Sequence, residues 1–168
     1  AGAGGVVAAE SVIRSAPDGY TLLACTPNAI IVRKFLAKSN TIDLNRDLTP
    51  ITALWNTPSL VMTNTGFAPQ SFKELIDYAK ANPGKISYGT SGIGTNHHLS
   101  AEVIRMMTGI DWVHVPYKGG PPVVTDPMTD RIQVGFSILA TVGPYMNSGK
   151  LKIIAVNNQQ RASQLPGI

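Results

Sequence analysis

The stretch Tyr88-Gly-Thr-Ser-Gly-Ile-Gly-Thr-Asn-His-His98 decides the fold. Its glycines let the backbone turn sharply and approach a neighbour or ligand closely. Residues 85–88 before it read as a short strand. Residues 96–108 after it read as a helix, with Leu99, Val103, Met106 and Met107 on one side. Strand, small-residue loop and helix in that order form the unit from which mostly parallel α/β sheets are built.

The flanking sequence repeats the alternation. Ser71 and Glu74 form a capping box, Phe72, Leu75, Ile76 and Ala79 supply an apolar stripe, and Asn82-Pro-Gly84 ends that helix. Residues 111–115 predict a strand with Val113 and Val115 on one face, and 117–120 a small-residue connection. Pro121-Pro122 suits a helix start, and Pro127 requires that helix to be short or broken near Thr125. Strands are expected at 132–136 and 151–156, with a weak helix at 139–147. Towards the N-terminus, Val6, Ala9, Val12 and Ile13 mark one face of a short helix, and Pro17-Asp-Gly19 a turn. Residues 20–25 predict a buried parallel strand, and 29–36 a brief helix. Residues 48–56 and 59–63 predict two extended pieces. The polar stretch 38–49 leads to a lobe boundary, with the crossing between Ala53 and Val61.

At 168 residues, 43% hydrophobic and 14% charged, the chain can fill a real core, which excludes disorder. No apolar run reaches the roughly 18 to 20 residues that span a bilayer. Ala1-Gly-Ala-Gly-Gly5 carries no basic segment before an apolar one, so no signal peptide is read in the sequence as it stands. The net charge of +4 comes from scattered Lys and Arg residues without a basic stripe, which argues against nucleic acid and suits an acidic small molecule. Cys25 is the sole cysteine, so neither a disulfide framework nor a cysteine-built metal site is expected.

Parallel sheets bind ligands at the carboxyl ends of their strands, where the informative loops fall. In the first, Gly92 and Gly94 free the backbone, Ser91 and Thr95 offer hydroxyls, and the next helix points its N-terminus at the same place. Together these suit an anion, and a carboxylate is the simplest guest; the alternative is a turn that merely caps the helix. A dinucleotide fingerprint fails because His97 stands where its third glycine belongs. A nucleophile elbow fails because Ile93 stands where glycine is required. His97 and His98 diverge by about 100° on a helix, so no metal and no cofactor are expected. In the second loop, Tyr117 suits a pocket wall and Lys118 a positive charge, against the plainer reading of a surface lysine on a turn. Thr26 and Asn28 form a third candidate, and Ser137, just past the strand ending at Phe136, a fourth. Asp126 and Asp130 are expected to be solvated.

These segments together resemble the Bug-type receptors of tripartite tricarboxylate transport systems. Gly2-Ala-Gly-Gly5 with Pro17-Asp-Gly-Tyr-Thr-Leu22 is similar to the family's opening signature. Ser91-Gly-Ile-Gly-Thr95 with His98-Leu99 is similar to its central loop. Val115-Pro-Tyr-Lys-Gly-Gly120 with Thr125-Asp126 resembles its most recognisable block, and Gly149-Lys-Leu151, Ala155-Val156, Arg161 and Leu165-Pro166 its return segment.

The resemblance implies a type II periplasmic-binding fold, two lobes with mostly parallel sheets, closing on a small carboxylate (a di- or tricarboxylate or an aromatic acid). The solute passes unchanged to membrane permease subunits, so no enzymatic activity and a periplasmic location are implied. Residues 91–95 then hold the carboxylate from the second lobe, with Ser137, while Thr26 and Asn28 face it from the first. Residues 1–56 are expected in a partial first lobe, 57–150 in the second lobe and 151–168 in the return to the first. The family's first strand would precede Ala1 and its last segments would follow Ile168, so the chain is expected to be a piece of a receptor. Ala8, Pro121, Pro127, Thr129-Asp130 and Gln133 depart from the family pattern. Two other readings stand beside this one: a truncated interaction or domain-swapped module, and a serine hydrolase using Ser91 with His97 or His98. The whole receptor is expected to be a monomer, and the shortened chain to pair or swap.

Overall fold

The computed structural model describes residues 6–25, 42–54, 57–158, 165 and 167–168. The chain divides into two compact units, Ala1–Trp55 with Gly94–Asn96, and Asn56–Ile93 with His97–Ile168. In the first, helix α1 (Val6–Ile13) buries Ala9 beside Ile42, with Ile13, Leu23 and Cys25 packed around them. A single turn, α2 (Leu44–Asp47), is tied at its start by the Asp43 N–H donating to Asp47 Oδ2 at 2.8 Å. Residues 20–25 do not form the expected strand, and Tyr20 and Leu22 are exposed. A strand exists only through a neighbour's backbone groups, and the described residues offer this segment none. Residues 48–54 likewise join no ladder. The helix expected at 29–36 lies outside the described residues.

The second unit is built on a five-stranded sheet. Its strands are β1 (Ser59–Asn64), β2 (Ser87–Thr90), β3 (Val113–Pro116), β4 (Val134–Ile138) and β5 (Leu151–Asn157), in the order β3-β2-β4-β1-β5. β2 runs parallel to β3 and β4, whereas β1 is antiparallel to β4 and β5. Four strands therefore share one direction, and β1 alone opposes them. The expected α/β alternation is present, in a mixed sheet. The strand expected at 151–156 forms as β5, which pairs with β1 from Ser59↔Asn157 to Asn64↔Leu151 and buries Leu151 and Ile154. The reason is that β1 has two edges to satisfy and β4 occupies only one.

Alternation along the strands separates two apolar layers. On one face Val61, Tyr88, Val134 and Phe136 pack with Leu75, Ile76 and Ala79 of helix α3 (Phe72–Ala81) and Ala101 of helix α4 (Asn96–Thr108). On the other, Leu60 and Met62 pack with Val123 and Val124 of helix α5 (Pro121–Thr125) and Val142 of helix α6 (Leu139–Val142). The α3 cap forms as the sequence predicts: Ser71 Oγ accepts from the Glu74 N–H, while Glu74 Oε2 accepts from the Gln70 N–H at 2.9 Å. α5 ends at Thr125, where Pro127 forbids continuation, and a 3-10 turn (Pro127–Thr129) follows.

Helix α4 presents the opposite face from the one hydropathy selects. Val103, Met106 and Met107 are exposed, and Ala101 is buried with Ile104 packed beside it. The inward face also carries His97 and His98, whose rings find specific partners, so their polarity costs little. Small Ala101 lets the helix lie close to the sheet.

One of those partnerships runs across the sheet. Trp112, Tyr88, His114 and His98 form a row of rings with successive centroid separations of 4.7, 4.9 and 4.3 Å. Such ring contacts add about 0.5–1.5 kcal/mol beyond their buried area. The Tyr88 hydroxyl donates to Glu102 Oε1 at 3.0 Å, and Arg105 pairs with the same carboxylate. His114 Nε2 lies 2.7 Å from Thr90 Oγ1, which pins the last residue of β2. Burial, reinforced by the charge of His98 and opposed by Glu102, lowers the His114 imidazole from 6.5 to about 4.

Two predictions follow from this packing. Gly89 and Gly135 are partners across β2 and β4, and a Cβ at Gly135 would lie 2.7 Å from both Met62 Cε and the Val123 carbonyl oxygen. Gly135→Ala is therefore expected to lower unfolding free energy by about 1–3 kcal/mol in urea titration, whereas Gly143→Ala, with open space around it, changes stability little. The second concerns acid. A histidine whose folded pKa is depressed is protonated more readily in the unfolded chain, so stability drains away as pH falls from 6.5 towards 4. Solvent screening of this half-buried ring discounts the loss to on the order of 1 kcal/mol. Denaturant titrations across that window should show a flatter profile for His114→Gln; an identical profile assigns the acid sensitivity elsewhere.

Candidate functional site

The strand order reverses at β2. The crossover from β2 to β3 runs through α4 on one face of the sheet, and that from β3 to β4 through α5 on the other. Open α/β sheets bind ligands outside the carboxyl ends of strands at such a point. The segment leaving β2 there is Ser91–Thr95.

Gly92 and Gly94 adopt φ values of 141° and 76°, which side chains rarely tolerate, so glycine is required at both. The turn is clasped by Thr90, whose hydroxyl oxygen receives the Gly92 N–H at 3.4 Å and lies 3.3 Å from the Gly92 carbonyl. The Gly92 N–H, expected to face a ligand, is thus turned inward in part, because the buried Thr90 hydroxyl needs a partner. Ser91 Oγ stands 2.9 Å from His97 Nδ1 in the first turn of α4. Burial lowers the His97 pKa, so the ring is neutral at pH 7. Gly94 is buried and Thr95 half-buried in the same turn.

Tyr117 is held at three points. Its N–H donates to the Thr90 carbonyl at 2.9 Å, its ring lies over Gly89, and its hydroxyl donates to Asp126 Oδ2 at 2.7 Å. Burial and the adjacent Asp126 carboxylate push the phenol up to about 12. Asp126, expected to be solvated, is half-buried because this bond holds it; Asp130 is exposed as expected. Lys118 is exposed in the segment after β3. Ser137 is not past its strand: β4 extends to Ile138 through pairing with β1, and Ser137 is buried opposite Leu60. Thr26 and Asn28 lie outside the described residues.

The structure thus joins Ser91 to Tyr117 through Thr90, and adds three residues that the sequence reading did not count as site candidates: Thr90, His114 and Asp126. Only Thr90 carried a local signal, as a polar residue at a strand end between glycines. His114 and Asp126 act through contacts 24 and 9 residues away, for which no local pattern exists. Although Ser91 and His97 meet as a nucleophile and base would, no carboxylate pairs with His97 among the described residues to complete a triad. Those residues also contain no group of three metal-ligating side chains.

Comparison with known proteins shows the family and the fold. The family model described as the tripartite tricarboxylate transporter family receptor matches residues 1–168. BugT of Bordetella pertussis is 30% identical over 169 residues, covering all of this chain and 52% of BugT. A structure described as a periplasmic transporter is 36% identical with a TM-score of 0.88, covering 99% of this chain and 56% of that one. The R. palustris protein Rpa4515, solved with adipate, is 30% identical with a TM-score of 0.90 and the same coverage. The chain spans about half the length of the curated relatives it matches. It belongs to the tripartite tricarboxylate transporter receptor family, whose members bind solutes on a periplasmic-binding fold and are not enzymes.

Proposed function

We propose that this chain is part of a periplasmic receptor that holds one carboxylate of a small acid at the head of α4 and passes the acid unchanged to a membrane permease. The observation that carries this reading is the placement of Ser91, in a turn that requires Gly92 and Gly94, at the helix start beyond the strand where the sheet order reverses. Hydroxyl donors and a helix N-terminus favour a negative guest, and the adipate-bound relative, similar over nearly all of this chain, supports a dicarboxylate. In this reading Thr26, Asn28 and Thr95 are further contacts to the acid. Tyr117 acts indirectly, by fixing Thr90. Lys118 supplies long-range positive potential and Ser137 packing. Charge-assisted hydrogen bonds of about 1.5–3 kcal/mol each make three or four of them sufficient for much of the ~8 kcal/mol of micromolar binding.

A ligand that binds only the folded protein raises its melting temperature, by about 2.7 kcal/mol of stabilisation at one hundred times Kd. Adipate, citrate and benzoate are the acids to scan, each at millimolar concentration. At least one is expected to raise Tm by several degrees, and Ser91→Ala, compared with its own unliganded Tm, to weaken that acid about tenfold. A folded sample indifferent to the whole panel would falsify carboxylate binding by this chain.

A further inference from the structure

Ser91 has one hydroxyl proton, and His97 Nδ1 lies 2.9 Å from its oxygen. The ring is held neutral by burial, so it carries a single N–H. Two arrangements are then possible, and they exclude each other. When Nδ1 accepts, the Ser91 proton is spent inside the protein and the oxygen shows only lone pairs outward, which repel a carboxylate. When Nδ1–H donates, the Ser91 proton is released to an outside acceptor. Among the described residues no hydrogen bond to Nε2 of His97 fixes the tautomer. The group that meets Ser91 selects it.

We infer that His97 is the positioning residue of the carboxylate site: by donating from Nδ1 to Ser91 Oγ it turns the Ser91 hydroxyl into a donor aimed at the anion. This rests on the carboxylate reading above. The pair is adaptable: an anionic oxygen recruits the Nδ1–H form and gains a hydroxyl donor, whereas a neutral ligand presenting an N–H recruits the other form.

The test is calorimetric titration of adipate into the wild-type chain, His97→Asn and His97→Leu, with a long-range 1H–15N spectrum of the wild-type histidines before and after saturation. Asparagine can place an amide N–H near the Nδ1 position, so His97→Asn should bind within about threefold of wild type, and His97→Leu about tenfold more weakly or worse. Saturation should show the proton of His97 on Nδ1. Equal affinity in His97→Leu, or an Nε2–H ring in the saturated protein, overturns the inference while leaving carboxylate binding intact. A wild-type chain that takes up no adipate removes the reading beneath it and the inference together. If His97→Leu fails to fold, the wild-type spectrum still decides.

Discussion

Thr90 is fully buried at the end of β2, and its carbonyl and hydroxyl are tied to different segments. Its carbonyl accepts from Tyr117 in the next loop. Its hydroxyl meets His114 on β3 and the Gly92 amide of its own turn. A buried hydroxyl left unpaired costs about 1–3 kcal/mol, so these contacts are obligations as much as gains. Because they are shared, the loops after β2 and β3 are placed as one body. The head of α4 inherits its position from that clasp.

The same clasp explains why a polar row crosses the sheet face. His114 must be neutral to sit between Tyr88 and His98, and burial keeps it so. Tyr88 discharges its hydroxyl onto Glu102, which Arg105 steadies. Beneath the opposite face, Gly89 and Gly135 leave room for Tyr117, Ile132 and Met62 to reach the strands. The Tyr117 ring is then locked by Asp126. The Ser91–Thr95 loop is thus braced from both sides by groups that do not belong to it. In the proposed receptor role such bracing matters, since a site held in shape before its solute arrives spends less of the binding energy on ordering.

Sequence and tertiary structure divide the explanation unevenly. Punctuation residues were legible because their constraints are local: Ser71 and Glu74 cap α3, Pro127 stops α5 at Thr125, and Gly92 and Gly94 adopt angles that other residues avoid. Hydropathy misled at α4, where Val103, Met106 and Met107 outscore the His97, Ala101 and Ile104 face that packs inward. A scale that treats histidine as polar cannot anticipate that a ring at 4.3 Å and a serine at 2.9 Å will satisfy two of them. It misled again at residues 20–25, since an apolar run predicts burial but cannot supply the neighbouring strand.

What the sequence determined alone was the family, the α/β alternation and the glycine turn at Ser91–Thr95. These depend on residue type at short spacing, where steric limits act without help from distant chain. Only the tertiary structure decided that β1 opposes its four companions, that Leu151–Asn157 joins the same sheet, and that the Tyr117 hydroxyl donates to Asp126. The reason is that strand direction and hydrogen-bond choice are settled by competition among partners far apart in sequence. The outcome of that competition depends on which groups the fold leaves unsatisfied.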